Sequence, residues 1–463
     1  MNSMRFFLFL ISLFPLGLRA QHDLSTHFMR GAYQAMWSNP ASVPDHRVVI
    51  SLPGVYNHFW NSGFSWSDAI REDPGGERIL DIDGLIVGLE SENFIKERLD
   101  VQTLGLAVQA GNWAFSAGHQ ARFHAYGYYP KELAQLVWKG NAQFIGQRVS
   151  IGPELFARGY QEFHLGIAVQ PQESFRLGAR IKFLSGIGDA STSRSDLYLY
   201  TSDDIYQLTL GSDFQFNATA QMQYNGLDDF TVDVDAADFP VDQLFTKNNG
   251  VALDLGVEFF LDRLTLRASV LDLGRITWKQ DATNLSLTGD FEFKGLDIFR
   301  QLLDDTSNVA GGVIDSLEAI YDIRQSFVQY RTALPMQTFL SASLALNDSW
   351  DLHALAYGEK VGSRFFPAFA AGAQMRVGRF MQWGISYVAR YNQFDQVGAN
   401  IGLQLGPIQA VASTDHLPGL VGWKKAHQAN LRLGLNLVFG LSEEVKSRGP
   451  KRLFIDERKF FKG

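Results

Sequence analysis

Charged side chains at alternate positions of apolar runs are the residues of this sequence with the clearest potential for chemistry. In the run from Phe175 to Ser185, large apolar residues occupy one set of alternate positions and basic residues occupy most of the other. An unmatched basic face would select anionic or amphipathic solutes, whereas basic groups matched by carboxylates would brace an interior through ion pairs. The sequence leaves both interpretations open. The candidates for this lining are Arg176, Arg180, Lys182, Asp254, Glu258, Arg376, Arg390 and Arg432.

Other chemistries have weaker support. His119, His124 and His164 lie on or beside predicted strands, and nothing near them in the sequence supplies the partners of a metal or general-base site. We therefore expect them to make hydrogen bonds inside the fold. The acidic stretch 228–242 lacks the fixed spacing of a calcium loop, so a solvated loop is expected. No glycine-rich phosphate loop and no motif around a nucleophile occur, and the chain is predicted to have no enzyme activity, no metal and no other cofactor.

Strands must position these side chains. In the run Leu431 to Phe439 every odd position is apolar, and Arg432, Gly434 and Asn436 fall between them. Successive side chains on a strand point to opposite faces, and runs of roughly nine to eleven residues match a tilted strand that crosses a bilayer. The polar faces carry mostly Gly, Asn, Gln, Ser and isolated Arg, which suit a crowded polar interior. The sequence predicts an all-β protein, a transmembrane antiparallel β-barrel whose closure leaves no edge in lipid.

The alternation of short turns and long loops predicts the number of strands and their direction. Short turns of such barrels lie on the periplasmic side and longer loops on the outside. The count is about sixteen strands, or about fourteen if the hairpin Arg194–Leu210 is only an extracellular flap. Long, partly helical extracellular loops are expected at 67–99, 125–159 and 274–335.

The ends of the chain differ in character from its middle. Arg5 and the apolar stretch after it are typical of a cleaved secretory signal. The chain contains no cysteine, which excludes a lipid anchor on cysteine and any disulfide. The predicted order is a signal peptide at 1–20, an N-terminal lead-in or plug at 21–45, the barrel at 46–440 and a basic periplasmic tail at 441–463. For residues 21–45, a simple tether is the alternative.

Several passages resemble a known family. They are Asn141 to Gly146, Arg194 to Leu197, Leu253 to Gly256 and, most specific, Ser269 to Trp278. Through them the chain resembles an uncharacterised family of bacterial outer-membrane β-barrels, a domain of unknown function common in Bacteroidota. The resemblance spans most of the mature chain and implies fold and location rather than activity. The tripeptide Asn39-Pro40-Ala41 is also similar to the start of FadL-type fatty-acid channels and PorV-type secretion-system barrels, which makes these three residues plug candidates.

Two functions follow as expectations. The first is a channel or binding barrel in the bacterial outer membrane for small amphipathic or hydrophobic solutes. The second is a structural or docking barrel for surface secretion or motility machinery. The expected partners are outer-membrane lipids and the barrel-assembly machinery, with secretion or motility components in the second case. The acidic net charge of -8 argues against nucleic-acid binding.

Overall fold

The computed structural model describes most of the 463-residue chain, namely residues 24–72, 78–204, 207–219, 221–224, 230–233, 244–293, 322–390, 393–422 and 426–442. The predicted signal peptide 1–20 lies outside the described residues. So do nearly all of the basic tail 441–463 and most of the acidic stretch 228–242.

The chain forms one closed antiparallel barrel of fourteen strands. These strands are β1 (His46–Ser51 and Gly54–Asn61), β2 (Glu92–Ala110), β3 (Trp113–Pro130), β4 (Glu154–Gln172), β5 (Phe175–Thr201), β6 (Asn249–Leu261), β7 (Leu264–Trp278), β8 (Tyr330–Ala333 and Met336–Ala345), β9 (Trp350–Val361), β10 (Arg364–Val377), β11 (Met381–Arg390), β12 (Gln393–Leu405), β13 (Ile408–Thr414) and β14 (Gln428–Leu441). Val48 of β1 pairs with Phe439 of β14 and with Val108 of β2, which closes the barrel. The predicted all-β, antiparallel barrel is confirmed.

The sheet of the barrel continues beyond the wall from β5 into further strands, here called the flap sheet. About the last half of β5, from Asp189 to Thr201, pairs with Leu208–Thr219, and that strand pairs along its whole length with Ala282–Phe293. Arg148–Ser150 and Asp322–Ser326 border this flap sheet on its two sides. Because these strands lie outside the closed ring, the lower of the two predicted strand counts is correct.

Short helices and two small hairpins complete the described structure. The hairpins pair Ile70–Glu72 with Arg78–Leu80 and Gln221–Tyr224 with Phe230–Asp233. The helices are the 3-10 turns Thr26–Phe28, Tyr33–Trp37 and Ala142–Phe144 and the α-helices Trp66–Ala69, Ile82–Gly88, Lys131–Lys139 and Leu417–Val421. Within the described ranges, no helix has the length and apolar character needed to cross a membrane.

The two ends of the barrel differ. The short-turn end holds connections of two to four residues, at 111–112, 173–174, 262–263, 346–349, 378–380 and 406–407. The long-loop end carries the long connections and the flap sheet, together with a tight turn after Val361. The predicted loop 67–99 was wrong beyond Glu92, where β2 begins. Charged residues in this stretch suggested a solvated loop. Lys96 and Arg98 instead lie on β2, where they point into the barrel and form buried ion pairs.

The outer surface of the wall is apolar. Large hydrophobic side chains on this surface are exposed on strands β2 to β14: Leu106, Phe115, Ile167, Ile181, Leu253, Leu273, Leu340, Leu352, Phe369, Ile385, Ile401, Ile408 and Leu435. The alternate positions of the same strands are buried and largely polar. An apolar band around a closed barrel with a polar interior is the pattern of a transmembrane barrel.

Candidate functional site

Residues 24–45, here called the plug segment, lie inside the barrel. They include two short 3-10 helices, and Leu24, Met29 and Tyr33 are almost completely buried. Gly31 permits the turn between the helices because its φ of 76° belongs to the left-handed region that favours glycine. Residues 24–45 therefore lie within the lumen, in contact with the wall.

The start of the plug segment is anchored on Asp415, which follows β13. The Asp415 carboxylate accepts hydrogen bonds from the backbone N–H groups of Leu24 and Ser25, both at 2.9 Å, and from Ser25 Oγ at 2.6 Å. Arg390 donates to the same carboxylate. One step further along, Thr26 Oγ1 lies 2.6 Å from Ser413 Oγ. Buried charge-assisted hydrogen bonds of this kind are stronger than neutral ones, so they hold the segment firmly.

The first plug helix also packs on aromatic side chains of β8 and β9. The His27 ring stacks on Phe339, and the Phe28 ring stacks on His353 with 3.6 Å between the ring centroids. His27 Nδ1 lies 2.8 Å from Ser38 Oγ, and its Nε2 lies 2.7 Å from Ser341 Oγ. Both nitrogens of this buried ring therefore have partners.

Because His27 is buried, we expect the position of the plug segment to depend on pH. Burial lowers the pKa of His27 to about 3, and the positive charge of Arg267 and the ring of His353 act in the same direction. An exposed histidine has a pKa of about 6.5, so lowering the pH below that value favours any state in which His27 meets water. At pH 5 the plugged state should lose on the order of 2 kcal/mol. Single-channel recordings at pH 7 and pH 5 should show more openings at pH 5. His27→Gln should reduce the difference, because the buried rings of His353 and His164 also contact the plug segment; an unchanged pH response in that variant would contradict the role of His27.

The second plug helix contacts the opposite part of the wall. The side-chain amides of Gln34 and Asn436 donate to each other, both at 3.0 Å. Arg180 donates to the carbonyl of Met36 at 2.5 Å, and Trp37 Nε1 donates to Gln102 at 3.1 Å. Contacts on both sides of the barrel show that the plug segment bridges the lumen.

The plug candidates Asn39, Pro40 and Ala41 rest against glycines of the wall. Asn39 Nδ2 donates to a backbone carbonyl of β6 at 3.3 Å, and its Oδ1 accepts from the N–H of Ala41 at 2.9 Å. A side chain at Gly178 would collide with Pro40 and Ala41, and one at Gly256 would collide with Asn39. The two glycines thus make the room that the tripeptide fills.

The predicted lining residues all face inward. These residues are Arg176, Arg180, Lys182, Asp254, Glu258, Arg376, Arg390 and Arg432. Arg376 and Arg432 are partly buried, the other six are buried, and each of the eight contacts a partner. Glu258, for example, lies 3.0 Å from Arg176 and 2.8 Å from Arg267 and accepts from Ser42 of the plug segment at 2.7 Å. This pairing favours the bracing interpretation over an unmatched basic lining.

Arg376 and Arg432 have different kinds of partner. Arg376 forms an ion pair with Asp351 at 2.7 Å near the short-turn end. The Arg432 guanidinium lies over the ring of Tyr56, 4.2 Å from its centroid, in a cation–π contact. Asp351, the partner of Arg376, also lies 3.9 Å from Arg30 of the plug segment, so this carboxylate links the wall to the plug segment.

Eight buried charges meet where β2 to β7 face the lumen, and we call them the central charge cluster. The members are Arg98, Asp100, Arg122, Glu162, Arg180, Lys182, Asp254 and Asp272. Four are cations and four are carboxylates, so the cluster is neutral. Lys182 Nζ lies 2.6 Å from Asp272 and 2.9 Å from Asp254, and Arg122 lies 2.8 Å from Glu162 and 3.1 Å from Asp100. Of these eight residues, the sequence analysis predicted Arg180, Lys182 and Asp254. The other members were not predicted because part of their sequence was assigned to a loop, or because the inward face of their strand was not identified.

A backbone irregularity places Asp272 in this cluster. Asp272 has a φ of 61°, and the pairing of β6 and β7 shifts register between Leu253 and Leu255. The extra residue turns Asp272 inward directly after Leu271, so strict alternation would have misplaced it. Its N–H donates to Asp254 at 2.8 Å. The bulge lies within the passages Leu253 to Gly256 and Ser269 to Trp278 that carry the family resemblance.

The three histidines singled out from the sequence occupy different environments. His164 is buried with its ring against Trp37 of the plug segment, and His124 is buried beside Asp100. His119 was expected in the interior, but it lies on the outer side of β3 beside Phe163, because β3 places odd-numbered residues outward. In the part of the chain that the structure describes, no group of three or more metal-ligating side chains is assembled.

Cavities lie on both sides of the plug segment. Two of them, about 880 and 700 Å³, open at the short-turn end, and the larger is lined in part by Arg30, Asp45 and Arg376. A smaller cavity of about 190 Å³, the upper cavity, lies toward the long-loop end between His124, Tyr126 and the flap sheet. The plug segment and the central charge cluster lie between these spaces.

Comparisons with known proteins show what this chain is similar to. The chain is similar in fold to a FadL homologue of Pseudomonas aeruginosa, at 12% identity and a TM-score of 0.45, covering 92% of this chain and 98% of that one. It is also similar to the toluene transporter TodX of Pseudomonas putida, at 9% identity and a TM-score of 0.39, covering 91% and 94%. Because both TM-scores lie below 0.5, neither likeness extends to a substrate or mechanism. No curated protein matches the sequence. The model of one family of unknown function matches residues 40–415, and the chain belongs to that family, DUF5723.

Proposed function

We propose that this protein is an outer-membrane barrel that binds and passes a small amphipathic or hydrophobic solute, and that the plug segment is its gate. The observation that carries the proposal is the burial of residues 24–45 across the lumen through hydrogen bonds and side-chain packing. Among the described residues, the plug segment is joined to the wall covalently at its C-terminal end, where it continues into His46 of β1. Such a segment can be displaced without breaking the barrel.

Three features support the location and the direction. The apolar band suits a bilayer, and the predicted signal peptide would deliver the chain across the inner membrane. The short turns and the exit of the plug segment at Asp45 lie at one end, which we assign to the periplasm. The flap sheet and long loops then face outward.

The lining of the upper cavity supports this class of solute. Its walls combine the apolar side chains Tyr126, Phe156 and Val361 with polar groups such as Ser191 and Asn217. A mixed wall of this kind binds a molecule that has an apolar body and a polar group.

Uptake by whole cells tests the proposal. Cells that carry the protein should take up radiolabelled 4-ethylphenol faster than cells that lack it, because the lipopolysaccharide layer slows direct passage. Uptake of a sugar of similar size serves as the control and should be the same in both strains. Equal uptake of the phenol in both strains, together with no solute bound to the purified protein, would argue against transport.

A docking function is the second candidate, and the flap sheet favours it. Asp322–Ser326 is the outermost described strand on one side of that sheet, and the large apolar residues Phe327 and Val328 beside it are strongly exposed. Strands at the border of a sheet can pair with a strand of another protein. Co-purification from cross-linked cells discriminates the functions: the double variant Phe327→Ser, Val328→Ser should lose the partners of a docking barrel and leave solute uptake by a channel unchanged.

A further inference from the structure

Exposed cations gather on the outer surface of β6, β7 and β8, at the end of these strands that carries the long loops. We call them the basic patch, and its members are Lys247, Arg275, Lys279 and Arg331. Within the residues that the structure describes, none of the four forms an ion pair. The turn after β7 adds one exposed carboxylate, Asp281, so the surface keeps a net positive charge.

The pairing of β7 with β8 directs the patch away from the lumen. Trp278 is fully buried, its ring stacks on Tyr330, and its Nε1 donates to Thr332 at 2.7 Å. Tyr330 and Thr332 therefore face inward. Because successive side chains of a strand point to opposite faces, Arg331 between them faces outward.

The four cations lie close enough together to bind one group. The residue of β7 that pairs with Arg331 lies midway between Arg275 and Lys279, so both are diagonal neighbours of Arg331. Diagonal neighbours in a sheet are about 7–8 Å apart, a gap that long side chains span. Asn248 accepts a hydrogen bond from the N–H of Lys279 at 2.8 Å, which holds Lys247 beside it.

The patch lies at the border of the apolar band. Arg275 comes eleven positions after Leu264, where β7 begins at the short-turn end. At about 3.3 Å per residue and a tilt of about 40°, Arg275 is about 25–28 Å above that end, close to the height of the apolar band of such barrels. Val251 pairs directly with Arg275, and both Val251 and Leu273 are exposed apolar residues. Cations thus stand on the edge of a lipid-facing apolar surface.

A phosphorylated lipid matches both parts of this surface. Arg and Lys bind phosphate through charge-assisted hydrogen bonds, and basic clusters beside a bilayer attract anionic lipids. The acyl chains of the same molecule would pack on the apolar residues next to the cations. With the direction assigned above, the long-loop end meets the outer leaflet, where the phosphorylated lipid is lipopolysaccharide.

We propose that the basic patch binds the lipid A phosphates of lipopolysaccharide, with the acyl chains packed on Val251 and Leu273. This inference goes beyond the proposed function and uses only its assignment of direction. The acidic stretch 228–242 is the rival occupant, because its carboxylates would neutralise the same cations.

Two lipid probes that differ only in phosphate test the site. Native mass spectrometry of the purified full-length protein in detergent measures binding of bisphosphorylated lipid A and of the same lipid A without its phosphates. The intact protein should bind the phosphorylated form about tenfold to thirtyfold more tightly, since each cation near a lipid surface contributes about fivefold. Arg275→Ser, Lys279→Ser should remove most of this preference. Arg331 is kept because it also borders the upper cavity.

The matched control removes two exposed cations at the short-turn end. Arg263→Ser, Arg379→Ser changes the net charge by the same amount and should keep the preference of the parent. Equal affinity of the intact protein for both probes would overturn the assignment, as expected if the acidic stretch covers the patch. So would a preference that persists in the folded Arg275→Ser, Lys279→Ser protein, or one that the control loses equally. No passage of solute enters this measurement, so its failure leaves the channel standing, and a failure of uptake leaves the lipid site standing.

Discussion

Deletion of residues 24–42 is expected to turn a closed barrel into an open pore. A barrel of eight strands is filled by its own side chains, whereas wider barrels leave an aqueous lumen unless something occupies it. Here the plug segment is that occupant, and cavities of about 880 and 190 Å³ lie on its two sides. In planar bilayers the intact protein should stay mostly closed at pH 7. The deletion variant should give steady, ohmic conductance.

The deletion removes buried apolar contacts, so its folding must be checked. A folded barrel migrates differently from the heat-denatured chain on a denaturing gel, and only folded protein is recorded. Asp415→Ala provides a milder variant, because it removes the acceptor for Leu24 and Ser25 while the plug sequence stays intact. It should open intermittently. A folded deletion variant that remains as closed as the intact protein would show that the plug segment does not block the lumen.

Replacement of Lys182 by methionine should strongly destabilise the barrel. Lys182 is 2% exposed, and its ammonium group lies between Asp272 at 2.6 Å and Asp254 at 2.9 Å. Methionine keeps the apolar stem but leaves two buried carboxylates short of a cation. Removing one partner of a buried ion pair typically costs about 3–5 kcal/mol. Equilibrium urea unfolding of the protein in lipid vesicles measures the loss of unfolding free energy.

Arg194→Met is the matched control for that experiment. Arg194 pairs with Asp213 at 3.2 Å in the flap sheet, but both side chains are about half exposed. A surface ion pair is worth about 0–1 kcal/mol, so this variant should unfold almost like the parent. If Lys182→Met were no less stable than Arg194→Met, the central charge cluster would not contribute to stability in the way described.

The barrel could be predicted because the alternation of apolar and polar residues is contained in the sequence of each strand. The run Leu431 to Phe439 needs no distant information to show that Arg432 and Asn436 share a face, and both face the lumen in the fold. The tight hairpins of the last hundred residues were recognisable for the same reason. The flap was foreseen as one of two options, since a strand beyond the wall carries the same pattern as a strand within it.

The identity of the partners was not predictable in the same way. Lys182 on β5 forms an ion pair with Asp272 on β7, and Asp272 points inward because of a β-bulge. Neither strand's own sequence specifies this ion pair. The path of the plug segment depends on contacts nearly four hundred residues apart, as between Leu24 and Asp415. Its sequence is short, polar in places and without a long period, so the sequence does not by itself distinguish a plug from a tether.

A reversible lock between the plug segment and the wall tests the central claim most directly. Thr26 Oγ1 and Ser413 Oγ lie 2.6 Å apart, a separation suited to a disulfide, and the chain has no cysteine of its own to interfere. The double variant Thr26→Cys, Ser413→Cys is assayed for uptake of 4-ethylphenol by cells, oxidised and after reduction, with each single variant as control. We expect uptake to stop in the oxidised double variant and to return on reduction. Equal uptake by the oxidised and reduced forms would contradict a gate formed by residues 24–45.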